Sequence, residues 1–286
     1  MYELLRKGDK VGIIACSDGV GFEGRNQIND LKLQLENLDL KIVLADTIYK
    51  GQNLFSGTPL RRAEQLNSFF RNKEIKMIFD PSGGDSANQI LEFIDWKLVS
   101  SNPKLYFGMS DLSVIINSIY TMTNNSACHF YINNILKSQN NYFHELFYNS
   151  MFQGKSDLFD FQYEYIKGKN LSGVVVGGNL RCFLKLCGTK FFPNPEGKIL
   201  LLESLGGNET RIASLFYQLR QIGYLNKING VILGDFRQMK NENISPSVEE
   251  LILEVTDDID IPIIKTSEIG HVNNGKAIMI GEKRIF

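Results

Sequence analysis

Short apolar runs alternating with helical patterns constrain this chain more than any other feature of it. Residues 10–16 (KVGIIAC), 40–46 (LKIVLAD), 75–80 (IKMIFD) and 104–108 (KLYFG) read as strands. Helical patterns follow them at about residues 22–38, 59–72, 87–95 (ANQILEFID) and 112–120. Pro59 opens its helix at the first turn, where a missing N–H costs nothing. Strands that are apolar throughout, rather than alternating, are buried on both faces. The predicted class is therefore α/β, with a parallel sheet covered by helices on either side. In such sheets functional groups gather beyond the carboxyl ends of the strands. Residues 80–85 and 108–111 both fall there.

The pattern breaks between about residues 132 and 170, a stretch rich in Asn, aromatics and charge without a clean period. It reads as a linker carrying one helix and a short hairpin, and as the boundary between domains. The order then resumes. GVVVGGN is a strand and Gly turn, LRCFLKLCG a helix, GKILLLES a strand and 208–222 a helix. INGVILGDF is a strand, PSVEELILEVTDD a helix and IPIIK the last expected strand. The expected division is 1–135, a linker at 136–170, and 171–286. A length of 286 residues admits two such units.

Composition removes several classes of function. A net charge of −1 gives no footprint for a nucleic acid polymer or an anionic membrane surface. No window reaches the apolar length that spans a bilayer. The opening run, MYELLRKGDKVGIIAC, is too short in its apolar part for a signal peptide. Cys16, Cys128, Cys182 and Cys187 form no CxxC pair, and three of them lie in apolar runs. Reduced thiols and a cytoplasmic location are expected. With three histidines, His129, His144 and His271, and no HExxH, a dedicated catalytic zinc site is not expected.

Four features carry candidate chemistry. In FGMSDLSVI (107–115), Ser110 stands at the corner between a strand and a helix. Taken alone it fits best an ordinary helix N-cap, with a nucleophile presented on a tight turn beside fresh backbone N–H groups as the sharper reading. Glu203 is delivered to the end of the strand in KILLLES; a solvated acid near the next helix N-terminus is the plainer reading. His271 lies in the Gly-flanked loop IGHVNNG, as either a surface residue or a general base. Gly19-Val-Gly21-Phe-Glu-Gly24 is a literal GxGxxG, with Asp46 ending the next strand. That fingerprint starts late for a dinucleotide site, because Cys16, Ser17 and Asp18 separate it from the strand, and Asp18 would face phosphates.

Ser110, Glu203 and His271 share strand-end positions and together supply a nucleophile, a base and an acid to orient the base. The Gly83-Gly84 turn and the backbone of Asp111 could complete them with an oxyanion hole. An α/β-hydrolase esterase has the same chain order, but Leu112 stands where its GxSxG motif needs the second Gly. A non-enzymatic two-lobed protein with a small ligand in its cleft, and a nicotinamide enzyme built on Gly19–Gly24, are the other readings.

With these residues in hand, the chain resembles the LD-carboxypeptidase family of serine peptidases, which includes the microcin C self-immunity peptidases. GDKVGIIACS resembles the family's opening strand. SGGDSANQILEFIDWKLVSSNPKLYFGMSDLS resembles its Gly-Gly turn, LDW helix end, NPK turn and nucleophile corner. GGNLRCFLKLCGT, GKILLLES, IASLFYQLRQIGYLNKINGVILGDF and IGH resemble later elements in the family's order. The resemblance implies a Ser110–Glu203–His271 triad, with an oxyanion hole from the amides of Gly84 and Asp111. Gly83 and Ser82 become substrate-binding candidates. It implies a Rossmann-like or flavodoxin-like N-terminal domain bearing the nucleophile and a C-terminal domain of swivelling α/β barrel type. It further implies an active site between the domains, a homodimer, and no metal or organic cofactor. The substrate would be a small peptide, with an L-residue–D-Ala bond in a muropeptide, or an aminoacyl-nucleotide amide. The sequence departs from the family at Ser82, where many members carry Arg before the Gly-Gly turn. It departs again at Ala127–Tyr131, in place of an HGP-like segment, and at Ser204, in place of an acid.

Overall fold

The computed structural model describes residues 3–51, 55–136, 142–273 and 275–286. Parts of the expected linker (137–141) and Asn274 of the histidine loop lie outside the described residues. The first half runs β1 (Lys10–Ile13), α1 (Arg25–Glu36), β2 (Lys41–Leu44), α2 (Pro59–Arg71), β3 (Ile75–Phe79), α3 (Trp96–Ser101), β4 (Leu105–Gly108), α4 (Ser113–Thr123) and β5 (Ala127–His129). Next come α5 (Tyr142–Phe152), β6 (Glu164–Lys167), β7 (Ser172–Asn179), α6 (Leu180–Leu184), β8 (Lys198–Ser204), α7 (Glu209–Gln221) and β9 (Gly230–Phe236). The chain then forms α8 (Arg237–Asn241), α9 (Val248–Val255), β10 (Ile263–Lys265), β11 (Ile278–Ile280) and β12 (Lys283–Ile285). No helix among the described residues is long and apolar enough to cross a membrane.

Two sheets result. The first has the order β2-β1-β3-β4-β5-β11, parallel except for β11. Its first five strands follow the flavodoxin-like order, whose direction reverses between β1 and β3. A crevice opens at that switch point, beyond the strand ends. The loops after β1 and β3 border it, so Asp18 and the Gly83-Gly84 turn meet there. The Asp85 N–H donates to Asp18 Oδ1 at 3.1 Å.

The second sheet has the order β12-β7-β8-β9-β10-β6 and curls into a half-barrel, with β7 to β10 parallel and in sequence. Strand alternation divides its side chains. Leu200, Leu202, Val231, Leu233 and Ile263 pack with Ile212, Phe216 and Leu219 of α7 and Leu251, Ile252 and Val255 of α9. Ile199, Leu201, Ile232 and Ile264 face the other way and join the core of the first sheet. Glu203 continues the 199–201 series, so the period of two points it at the first sheet.

Three local expectations are corrected. ANQILEFID is a 3-10 helix over Ala87–Phe93, after which Asp95 caps the separate α3 by accepting from the Leu98 N–H at 3.0 Å. The hairpin expected in the linker is instead the single strand β6, which pairs antiparallel with the edge of β10. IPIIK is followed by β11 and β12, which close the edges of β5 and β7.

Candidate active site

The nucleophile candidate sits on a strained corner. Ser110 has φ +61°, a left-handed conformation that costs a non-Gly residue about 1–3 kcal/mol and persists only where its surroundings enforce it. The enforcement comes from Asp111, whose carboxylate is fully buried. Its Oδ2 accepts from Ser17 Oγ at 2.6 Å and from the Ala87 N–H at 2.8 Å, and its Oδ1 from Lys185 Nζ at 2.7 Å. The short helix Ser110–Leu112 starts here, so the Asp111 N–H lies in a first turn, where N–H groups have no partner within the helix.

Glu203 and His271 come from the other sheet. Glu203 ends β8 and has no exposed surface. His271 Nδ1 stands 2.5 Å from Glu203 Oε2. A carboxylate only accepts, so Nδ1 carries the proton and Nε2 is free to act as a base. Burial alone pushes the Glu203 carboxyl up, but the charge of His271 and the hydrogen bonding outweigh it and hold the group at about 2. Burial likewise pulls the His271 imidazole down, and the Glu203 charge reverses this to a net rise. Gly270 makes the approach possible. At φ +119°, its added Cβ would stand 3.1 Å from both Cβ and Oε2 of Glu203.

A cavity of about 360 Å³ joins the parts. Ser110 and His271 line it together with Ser82, Gly83, Gly84 and Tyr131. Gly84 has φ +138°, and a side chain there would overlap the Asp18 carboxylate. Ser82 reaches the cavity with a hydroxyl already committed, donating to Asp80 Oδ1 at 2.5 Å. Among the described residues no group of three or more His, Cys, Asp or Glu could hold a metal ion. In the Gly19–Gly24 stretch a Cβ on Gly19 would meet Ser56 at 2.5 Å and one on Gly24 would meet Val20 at the same distance, while one on Gly21 would meet nothing within 4 Å.

Several neighbours escaped the sequence reading. Asp235, buried at the end of β9, pairs with Arg237 Nε at 2.9 Å, and Arg237 Nη2 binds the His271 carbonyl. His129, at the end of β5, puts Nε2 3.8 Å from Glu203 Oε1. Asp235 had the signal that found Glu203, an acid closing an apolar strand. Lys185 had none, because it meets the site across the seam between the sheets; His129 lay in the Ala127–Tyr131 segment that departs from the family, but its approach to Glu203 crosses the same seam.

Comparison with known proteins follows the same layout. Residues 11–130 match the LD-carboxypeptidase N-terminal domain and residues 172–284 the LD-carboxypeptidase C-terminal domain. A Bacillus subtilis protein described as "Probable murein peptide carboxypeptidase" is 26% identical over 98% of this chain and 89% of its own length. The microcin C7 self-immunity protein MccF of Escherichia coli is 23% identical over 98% of this chain and 90% of its own. The solved structure of MccF in complex with glutamyl sulfamoyl guanosine superposes with a TM-score of 0.85 at 20% identity, covering 98% of this chain and 93% of that one.

Proposed function

We propose that this chain, which belongs to the LD-carboxypeptidase family, is a serine peptidase that cleaves the L-residue–D-Ala amide of a muropeptide through Ser110, His271 and Glu203. The observation that carries this reading is the shared cavity. Ser110, His271 and the Gly83-Gly84 turn line one space, while the far side of the imidazole is held by a buried carboxylate.

In the proposed reaction His271 Nε2 takes the Ser110 proton as Oγ attacks the carbonyl carbon. The amides of Gly84 and Asp111 hold the negative oxygen. His271 then gives its proton to the departing amine, and the C–N bond breaks to leave an acyl-serine. Water, deprotonated by His271, attacks that ester and restores Ser110. Glu203 stays ionised throughout, fixing the tautomer of His271 and balancing its charge. Gly83 lines the space beside the substrate, and Ser82 supports the turn through Asp80. The nucleophile belongs to the unit of residues 1–135, and Glu203 and His271 to that of 171–286, joined through 136–170. A homodimer acting in the cytoplasm in cell-wall recycling fits this chemistry.

A second reading is favoured by Ser82. With its hydroxyl bound to Asp80, it supplies no cation for a terminal carboxylate. An aminoacyl-nucleotide amide, as in the self-immunity branch, needs none there. The deciding experiment is mass-spectrometric detection of D-Ala released from a muropeptide tetrapeptide, comparing wild type with Ser110→Ala. Release by wild type, reduced ~10⁴-fold or more in the variant, is expected. Absence of release, together with cleavage of an aminoacyl sulfamoyl nucleoside, would transfer the assignment to the second reading.

A further inference from the structure

The two candidate oxyanion amides lie on separate loops, after β3 and after β4, and nothing in the local sequence fixes the distance between them. A cation from the other sheet ties them together. Lys185, which caps α6 at its C-terminal end, places its ammonium between Asp85 and Asp111. Nζ donates to Asp111 Oδ1 at 2.7 Å and to the Asp85 carbonyl at 3.0 Å, and also binds the Asp85 carboxylate. Those contacts use all three ammonium protons. Arg181, one turn earlier, binds the same Asp85 carboxylate. The Gly84 amide is one peptide from Asp85, and the Asp111 amide belongs to the residue whose carboxylate is held.

We infer that Lys185 is a positioning residue that sets the spacing of the Gly84 and Asp111 amides from across the seam between the two sheets. This rests on the hydrolase reading above. Its force comes from geometry. Oxyanion donors act only at hydrogen-bond distance from one point in space, and a displacement of about an ångström in such a site costs on the order of 10²-fold in rate. Without Lys185, the first loop keeps its tie through Asp18 and through the Ala87 amide on Asp111, but nothing from the second sheet presses Asp85 and Asp111 to a common centre.

Saturation kinetics of Ser110 labelling by a fluorophosphonate test this without knowledge of the natural substrate. In that step the Oγ–P bond forms, the P–F bond breaks, fluoride leaves and the serine proton passes to His271. Negative charge grows on the phosphoryl oxygen held by the two amides. Lys185→Met is expected to lower the limiting labelling rate by about 10- to 100-fold, with half-saturation within about threefold of wild type. Lys185→Arg should recover most of the rate. The acid limb of the pH–rate profile, set by His271, should stay in place, whereas general loosening of the site would move it. Labelling of folded Lys185→Met within about twofold of wild type, or equal slowness of the Arg variant, would overturn the inference. If Lys185→Met does not fold by circular dichroism, Lys185→Gln is judged by the same criteria. Wild type that fails to label at Ser110 would instead remove the hydrolase reading, and this inference with it.

Discussion

Glu203 is a carboxylate with no exposed surface that remains ionised, because the charge His271 can carry and the hydrogen bonds it receives offset the loss of water. The same contact raises the pKa of His271 above its ordinary 6.5. The sign of the consequence is fixed. In the proposed mechanism His271 acts as a base only when neutral, so kcat/KM should fall as pH drops through a value above 6.5. Glu203→Gln removes the charge that raises it, and the acid limb should move to lower pH. The rate should also fall by roughly 10³–10⁴-fold, since a carboxamide can turn its NH₂ toward Nδ1 and favour the wrong tautomer. A pH profile of fluorophosphonate labelling measures both, and a limb that does not move would count against the pairing. The positions of Ser110, Glu203 and His271 at or beyond strand ends were legible in sequence because apolar runs precede each of them. The strain at Ser110 was not, since it depends on Ser17, Ala87 and Lys185 gripping Asp111 from three other segments.

At the level of elements, the site depends on how α4 meets β7. Asn117 of α4 makes a paired contact with the backbone of one residue of β7, donating to the Gly177 carbonyl at 2.7 Å and accepting from its N–H at 2.8 Å. Ser113 Oγ accepts from the Asn179 N–H at 2.9 Å. Gly178, at φ +136°, clears the way: a Cβ there would stand 2.5 Å from Ser113 Oγ. Asn117→Ala would leave a buried N–H and a buried C=O without partners, each costing about 1–3 kcal/mol. Urea denaturation should show a loss of about 2–4 kcal/mol with an unchanged m-value, and a loss under about 1 kcal/mol would contradict this account. The strands around this joint were legible from their apolar runs. β11 and β12 were not, because three-residue strands at sheet edges carry too little pattern to stand out. The 3-10 geometry of 87–93 was hidden for a related reason: its apolar residues Ile90, Leu91 and Ile94 fit either helix.

For the molecule as a whole, the two sheets share one core. Val175, Ile199, Leu201, Ile232 and Ile264 pack within the cluster that also holds Val11, Ile78 and Phe107. Separate melting of two lobes would expose that shared surface to water, so unfolding should be one cooperative event. Trp96, the single tryptophan, belongs to α3, and its ring stands 5.7 Å from that of Phe191 in the second half of the chain, so its fluorescence reports the seam. Its thermal transition should coincide with the loss of far-ultraviolet circular dichroism, which reports both sides; two resolved midpoints would refute the shared core. The parallel α/β class was legible because runs apolar on both faces demand cover on both faces. The shared core was not, because alternation assigns a residue to a face without saying what that face meets.

The chain passes between the sheets three times, from β5 to β6, from β10 to β11 and from β11 to β12. Three crossings interleave the two halves of the chain, so neither sheet is built from one continuous stretch of sequence. Ser110, just after β4, and His271, on the crossing from β10 to β11, line one cavity within that frame. The cavity of about 360 Å³ is therefore framed from both sides, by Ser82 to Gly84 and Ser110 on one and Leu205 and His271 on the other, so neither half of the chain encloses the space that a ligand would fill.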